Sequence, residues 1–174
     1  MRTISMFVLS SIMFIFHVML SPAIEIFNAK IDFIIISIIL LAFFSKKWYP
    51  PVLCAVYSGL AVDVLTQANT YINTGVYLFF GIVMGVFVLF FKQNGLVVST
   101  ITIFVCIALK HLFFVFLLYV MRFSQTLTLG TFFYGLPSAL YSAVIGVLLY
   151  FVYKGLFSFS FMQEKNENDG KYII

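Results

Sequence analysis

Charge is what this sequence has least of: only 9% of its 174 residues are Asp, Glu, Lys or Arg, ten of them basic and six acidic. Ten cations and six anions cannot clothe a water-soluble fold of this length, and a 63% hydrophobic share with a mean hydropathy of +1.13 excludes one. The solvent is lipid. The net charge of +4 does not imply nucleic acid, because the basic residues stand singly between apolar runs rather than in a patch. Cysteine is also scarce. Cys54 and Cys106 fall about 5 Å and about 15 Å along helices that run the same way, which argues against a disulfide and for packed thiols. The chain has two histidines, with no metal-spaced set of His, Cys and carboxylates, so no metal site is expected. It also lacks a phosphate-cradling glycine loop and a Gly-x-Ser-x-Gly elbow. No catalytic residue, no cofactor and no enzyme activity are expected. No linker or repeat divides the chain, which reads as one membrane domain over 1–162 and a short polar cytoplasmic tail over 163–174, "QEKNENDGKYII".

What the chain has is long apolar runs, about six of them at roughly 15 to 26 residues each, the range that crosses a bilayer core as a helix. They are Ile4 to Ile24, Ile31 to Ser45, Pro51 to Leu65, Ile72 to Phe91, Leu96 to Met121 and Gly130 to Val152. "FIIISIILLAFF" does not alternate as a barrel strand would, so the expected class is an all-α integral membrane bundle of six transmembrane helices. The second and third runs are short and need their flanks, "SKKWYPP". There Lys46 and Lys47 snorkel, Trp48 and Tyr49 suit the headgroup level, and Pro51 opens a helix. One side of such a bundle carries Arg2, Lys46, Lys47, Lys92, Lys154, Lys165 and Lys171, and the other only Lys30 and Arg122. The positive-inside rule then places both termini in the cytoplasm. The first run has the outline of a signal peptide ending at Ser21-Pro22-Ala23, but it is longer than a signal core, and its loss would leave an odd helix count. It reads as helix one.

Asp63 is the residue that needs explaining, because "GLAVDVL" places a carboxylate inside a membrane-buried run. Counted along parallel helices, Asp63 lies about 18 Å in, Lys110 about 21 Å and His17 about 20 Å, with His111 beside Lys110. Intramembrane ionisable groups usually face the bundle interior and pair. Asp63 and Lys110 are therefore expected to meet in the outer half, with His17 or His111 nearby and Asn73, Tyr77 and Tyr134 within reach. Three readings fit: a buried ion pair that fixes packing, a ligand or proton site, or a Lys110 that snorkels away from Asp63. Ala55, Gly59 and Asp63 recur every four residues, so the carboxylate sits on a small-residue face. Gly81 and Gly85, then Gly135, Ala139, Ala143 and Gly146, make further small-residue stripes for internal packing or a partner. Pro137 is expected to kink the sixth helix.

Residues 50–87, "PPVLCAVYSGLAVDVLTQANTYINTGVYLFFGIVMGVF", resemble the most recognisable part of the MreD family of rod shape-determining membrane proteins. In that family a helix ending in Gly-x-x-x-Asp-x-Leu is followed by a short polar loop and a Gly-containing helix start. Gly59, Asp63, Leu65 and Gly75 stand at those places. The resemblance implies a non-catalytic scaffold of the cell-elongation, peptidoglycan-synthesis machinery in the bacterial inner membrane. Its expected partners are MreC, RodA with its class B penicillin-binding protein, MreB filaments and membrane lipid, with no nucleic acid. The family fold is also similar to substrate-binding S subunits of energy-coupling-factor vitamin transporters, which supplies the alternative. Such a subunit should carry a small-residue stripe on helix one, where "SSIMFIFHVMLSPA" offers Met, Phe and His.

Overall fold

A computed structural model of the chain describes residues 2–25, 29–66, 71–90, 95–120, 135–159, 164–165 and 172–173. They form six helices: α1 (Arg2–Ala23), α2 (Phe33–Ser45), α3 (Tyr49–Leu65), α4 (Ile72–Phe90), α5 (Leu96–Val120) and α6 (Gly135–Ser158). The first five overlie the apolar runs closely. The sixth runs on to Ser158, past the expected Val152, and residues 130–134 of the expected span lie outside the described residues. Pro137 falls in the first turn of α6, where its missing N–H is not needed, so it starts that helix and does not kink it. In the tail, Glu164–Lys165 pairs antiparallel with Tyr172–Ile173, a two-residue ladder that departs from an all-helical chain.

Helices α1, α4, α5 and α6 are long and apolar enough to cross a membrane, whereas α2 and α3 are shorter. Their outward faces fit that solvent. Ile4, Phe90, Val97, Phe116, Val144 and Leu148 are among many large apolar side chains left uncovered, far more than a water-facing surface tolerates.

Helix α2 occupies the centre. From Ile34 to Phe43 no residue is more than 1% exposed, and the helix packs on α1, α3, α4, α5 and α6. "FIIISIILLAFFS" is apolar on every face, the pattern of a helix enclosed by others. Its one interior hydroxyl is satisfied, as Ser37 Oγ and Tyr153 Oη of α6 lie 2.8 Å apart. Thirteen residues rise about 20 Å, about 10 Å less than a bilayer core. The helix therefore begins inside the bundle. At its other end Lys46 takes a left-handed conformation, φ 54°, and its N–H closes onto Ala42 O at 3.2 Å. The chain then turns through exposed Trp48 into Tyr49, Pro50 and Pro51, the first turn of α3.

The small-residue stripes form two internal seams. A Cβ on Gly81 would lie 2.6 Å from Ala55 Cβ, and one on Gly85 2.6 Å from Trp48 O, so the backbones of α3 and α4 cross too closely for any side chain. On the other side of the bundle, Cβ atoms on Gly135 and Gly146 would lie 2.7 Å from His111 Cβ and Ile103 Cδ1, and Ala139 and Ala143 are buried in this α5–α6 seam. Gly75 differs, with nothing within 4 Å of the added carbon. Gly59→Ala should cost about 1–3 kcal/mol as an overpacked contact, since its Cβ would meet Thr74 Cα at 2.7 Å. Gly75→Ala should instead be neutral or stabilise by about 0.5–1 kcal/mol, because it only removes chain freedom in a helix. Reversible unfolding in mixed micelles, followed by the fluorescence of Trp48, the single tryptophan, reads both.

Candidate polar site at the start of the central helix

The polar residues gather at one end of the bundle, where α1, α3 and α5 finish and α2, α4 and α6 begin. Asp32 caps α2: its Oδ1 accepts from Ile35 N at 3.1 Å, as an N-cap carboxylate does for the third residue of a helix. Its other oxygen, Oδ2, is ion-paired with Lys110 Nζ of α5. Lys110 also donates to Tyr77 Oη of α4 at 3.0 Å, and its ammonium lies 4.5 Å from the centre of that ring. The Asp32 N–H donates to Ser142 Oγ of α6 at 3.1 Å, and Ser138 of α6 donates to the Lys30 carbonyl. His17 of α1 brings Nδ1 to 3.8 Å from Asp32 Oδ1, and that nitrogen is buried without a hydrogen-bond partner among the described residues.

The expected Asp63–Lys110 pair is therefore corrected, because Lys110 meets Asp32. Depth along parallel helices placed Lys110 and Asp63 at one level, but the count left out α2, which runs the other way and starts at that level with a carboxylate. Sequence reasoning missed Asp32 although a signal was present. Asp32 interrupts the run Ile31 to Ser45 at its second residue. An Asp directly before an unbroken apolar stretch marks a helix N-cap, and a stretch too short to span the bilayer carries its cap into the interior.

Asp63 has a different task. Its Oδ1 accepts from Asn73 N at 3.3 Å and Asn73 Nδ2 at 2.9 Å, while Oδ2 accepts from Thr74 N at 2.8 Å and Thr74 Oγ1 at 2.6 Å. Asn73 and Thr74 are the second and third residues of α4, whose N–H groups have no intrahelical partner. The residue before that helix, Tyr71, offers no capping side chain, so α3 supplies the cap. Gly59, one turn earlier, makes this possible by letting the Thr74 backbone come into contact. The Gly-x-x-x-Asp pattern is thus one device. The glycine admits the start of α4, and the carboxylate caps it and meets the positive end of its dipole.

A cavity of about 630 Å³ opens beside these groups, lined by His17, Asp32, Tyr77, Lys110 and His111 among others. Asn73 and exposed Leu65 also border it. Tyr134 lies outside the described residues. The two thiols lie elsewhere and are buried, with Cys54 Sγ 3.8 Å from Ser37 Oγ and Cys106 Sγ 3.9 Å from Met84 Sδ. Among the described residues no cluster of His, Cys and carboxylates is arranged to hold a metal. No protein family, curated protein or solved structure matches the chain.

Asp63→Ala leaves four donors unanswered in an apolar setting and should cost about 2–4 kcal/mol by the same fluorescence assay. Asp63→Asn keeps one acceptor oxygen and should cost about half as much. Equal stability of Asp63→Ala and the native chain would contradict the capping role.

Proposed function

We propose that this protein is a non-catalytic scaffold of the bacterial cell-elongation machinery. It would cross the inner membrane with six helices, keep both termini in the cytoplasm, bind MreC, and associate with RodA, its class B penicillin-binding partner and MreB filaments. The reading rests on the resemblance of residues 50–87 to MreD, and one observation carries it further. Both membrane-buried carboxylates answer helix N-termini inside the chain, as Asp63 does for α4 and Asp32 for α2. The glycine and alanine stripes are likewise taken up in internal seams. Polar and small residues thus serve rigidity, which is what a body that positions other membrane proteins requires. The topology is supported by position: Lys46, Lys47 and Lys154 lie toward one end of the bundle and Lys30 at the other.

The cavity favours a second reading, as the vitamin-binding S subunit of an energy-coupling-factor transporter, since 630 Å³ falls in the range of small-molecule sites. The outward face of α1 weighs against it. That face presents Ile4, Phe7, Val8, Ile12, Ile15 and Met19, bulky side chains that keep another helix at a distance. Affinity purification of the full chain from its native cells in mild detergent, with mass spectrometry, separates the two. The scaffold reading expects MreC and the RodA complex among the captured proteins. Paired ATPases with a coupling membrane protein would overturn it in favour of the transporter.

A further inference from the structure

We propose that the cavity at the start of α2 binds a small organic anion, a carboxylate or phosphate carried on a compact apolar body. The inference requires the cavity alone and stands apart from the scaffold reading, which partner capture tests. The space exists because α2 is short: the helix begins only where Asp32 caps it, and side chains of α1, α3, α4, α5 and α6 line the space beyond that point.

The sign of the ligand follows from the charge balance and the surplus of donors around the cavity. Both oxygens of Asp32 are engaged, one by the Ile35 N–H and the other by Lys110. Donors remain. An ammonium has three N–H groups, and Lys110 gives two of them to Asp32 and Tyr77. Lys30 stands at the rim, more than half exposed, and holds Glu25 only loosely at 3.5 Å. His17 and His111 both line the space, and an imidazole keeps at least one N–H in either protonation state. The N-terminal end of α2 adds its partial positive charge. Between these groups the wall is apolar, from Val18, Ile31, Val62 and Leu65. A donor-rich floor, whose one carboxylate is charge-compensated by Lys110, under apolar walls selects an acceptor-bearing head on an apolar body.

The sequence provides a reporter, because its only two histidines, His17 and His111, both face this cavity. The full chain, purified through a tag without histidine and placed in phosphatidylcholine nanodiscs, is labelled with isotopic histidine and titrated with benzoate and with phenyl phosphate. Phenyltrimethylammonium serves as the cationic control. The expected result is a saturable shift of both imidazole signals with either anion at millimolar concentration or below, and none with the cation. Lys30→Gln, at the exposed rim, should weaken the anion roughly two- to five-fold without unfolding the protein. Nanodiscs containing phosphatidylglycerol identify the source of the anion. If the same signals move there before any probe is added, and benzoate reverses the change, the head bound is a lipid phosphate. If they move only with added probe, it is a soluble anion. Histidine signals that ignore both anions, or that respond equally to the cation, overturn the proposal.

Discussion

Lys110 holds the carboxylate of Asp32 at the point where the buried helix α2 begins, and the rest of the bundle is organised around that contact. A central helix with no exposed face must start somewhere inside, and its first N–H groups have no water to turn to. Asp32 answers one of them but brings a negative charge into the same apolar space. Lys110 of α5 compensates that charge, and Tyr77 of α4 holds Lys110. Ser142 of α6 takes the Asp32 N–H, and His17 of α1 stands alongside. Five helices thus meet at one ion pair. The remaining one, α3, is joined through Asp63 to the start of α4. A buried pair of this kind is a weak source of net stability, but losing one partner is costly, and that asymmetry specifies a single arrangement of helices.

Both buried carboxylates therefore do the same thing at different places. Each satisfies a helix start in a medium that offers no solvent, Asp32 on its own helix and Asp63 across a turn. Glycine determines which is possible. Without a side chain at Gly59 the start of α4 lies against α3, and Asp63 reaches both N–H groups and both side chains of Asn73 and Thr74. The same shortness of α2 that creates the need for Asp32 also leaves the cavity beyond it. Rigidity and an internal space thus arise from one feature of the sequence, a thirteen-residue apolar helix among longer ones.

The helices were legible in the sequence because apolar run length is a direct consequence of bilayer thickness, so Ile72 and Leu96 begin α4 and α5 where the runs begin. The role of Pro137 was less so, since a proline near a helix start fits either a kink or a first turn. The polar cluster was legible in its members more than in its pairing. Lys110 and His17 stand together with Tyr77, yet their partner Asp32 is the second residue of the run Ile31 to Ser45 and was absorbed into that span. Depth measured along α3 and α5 carries no information about which helix lies between them. The polar partners of Asp63 were within the predicted neighbourhood for Asn73 alone. That Thr74 would present its backbone required knowing how closely α3 and α4 cross.

If Lys110 answers Asp32, the two positions are coupled energetically. A double-mutant cycle measured by reversible unfolding in mixed micelles tests it most directly, with Lys110→Met combined first with Asp32→Asn and then with Asp63→Asn. Lys110→Met alone should cost about 3–5 kcal/mol, because it leaves a buried carboxylate unpaired. Coupling of about 1–3 kcal/mol is expected with position 32, and additivity within about 0.5 kcal/mol with position 63. Strong coupling to Asp63, with none to Asp32, would contradict the pairing.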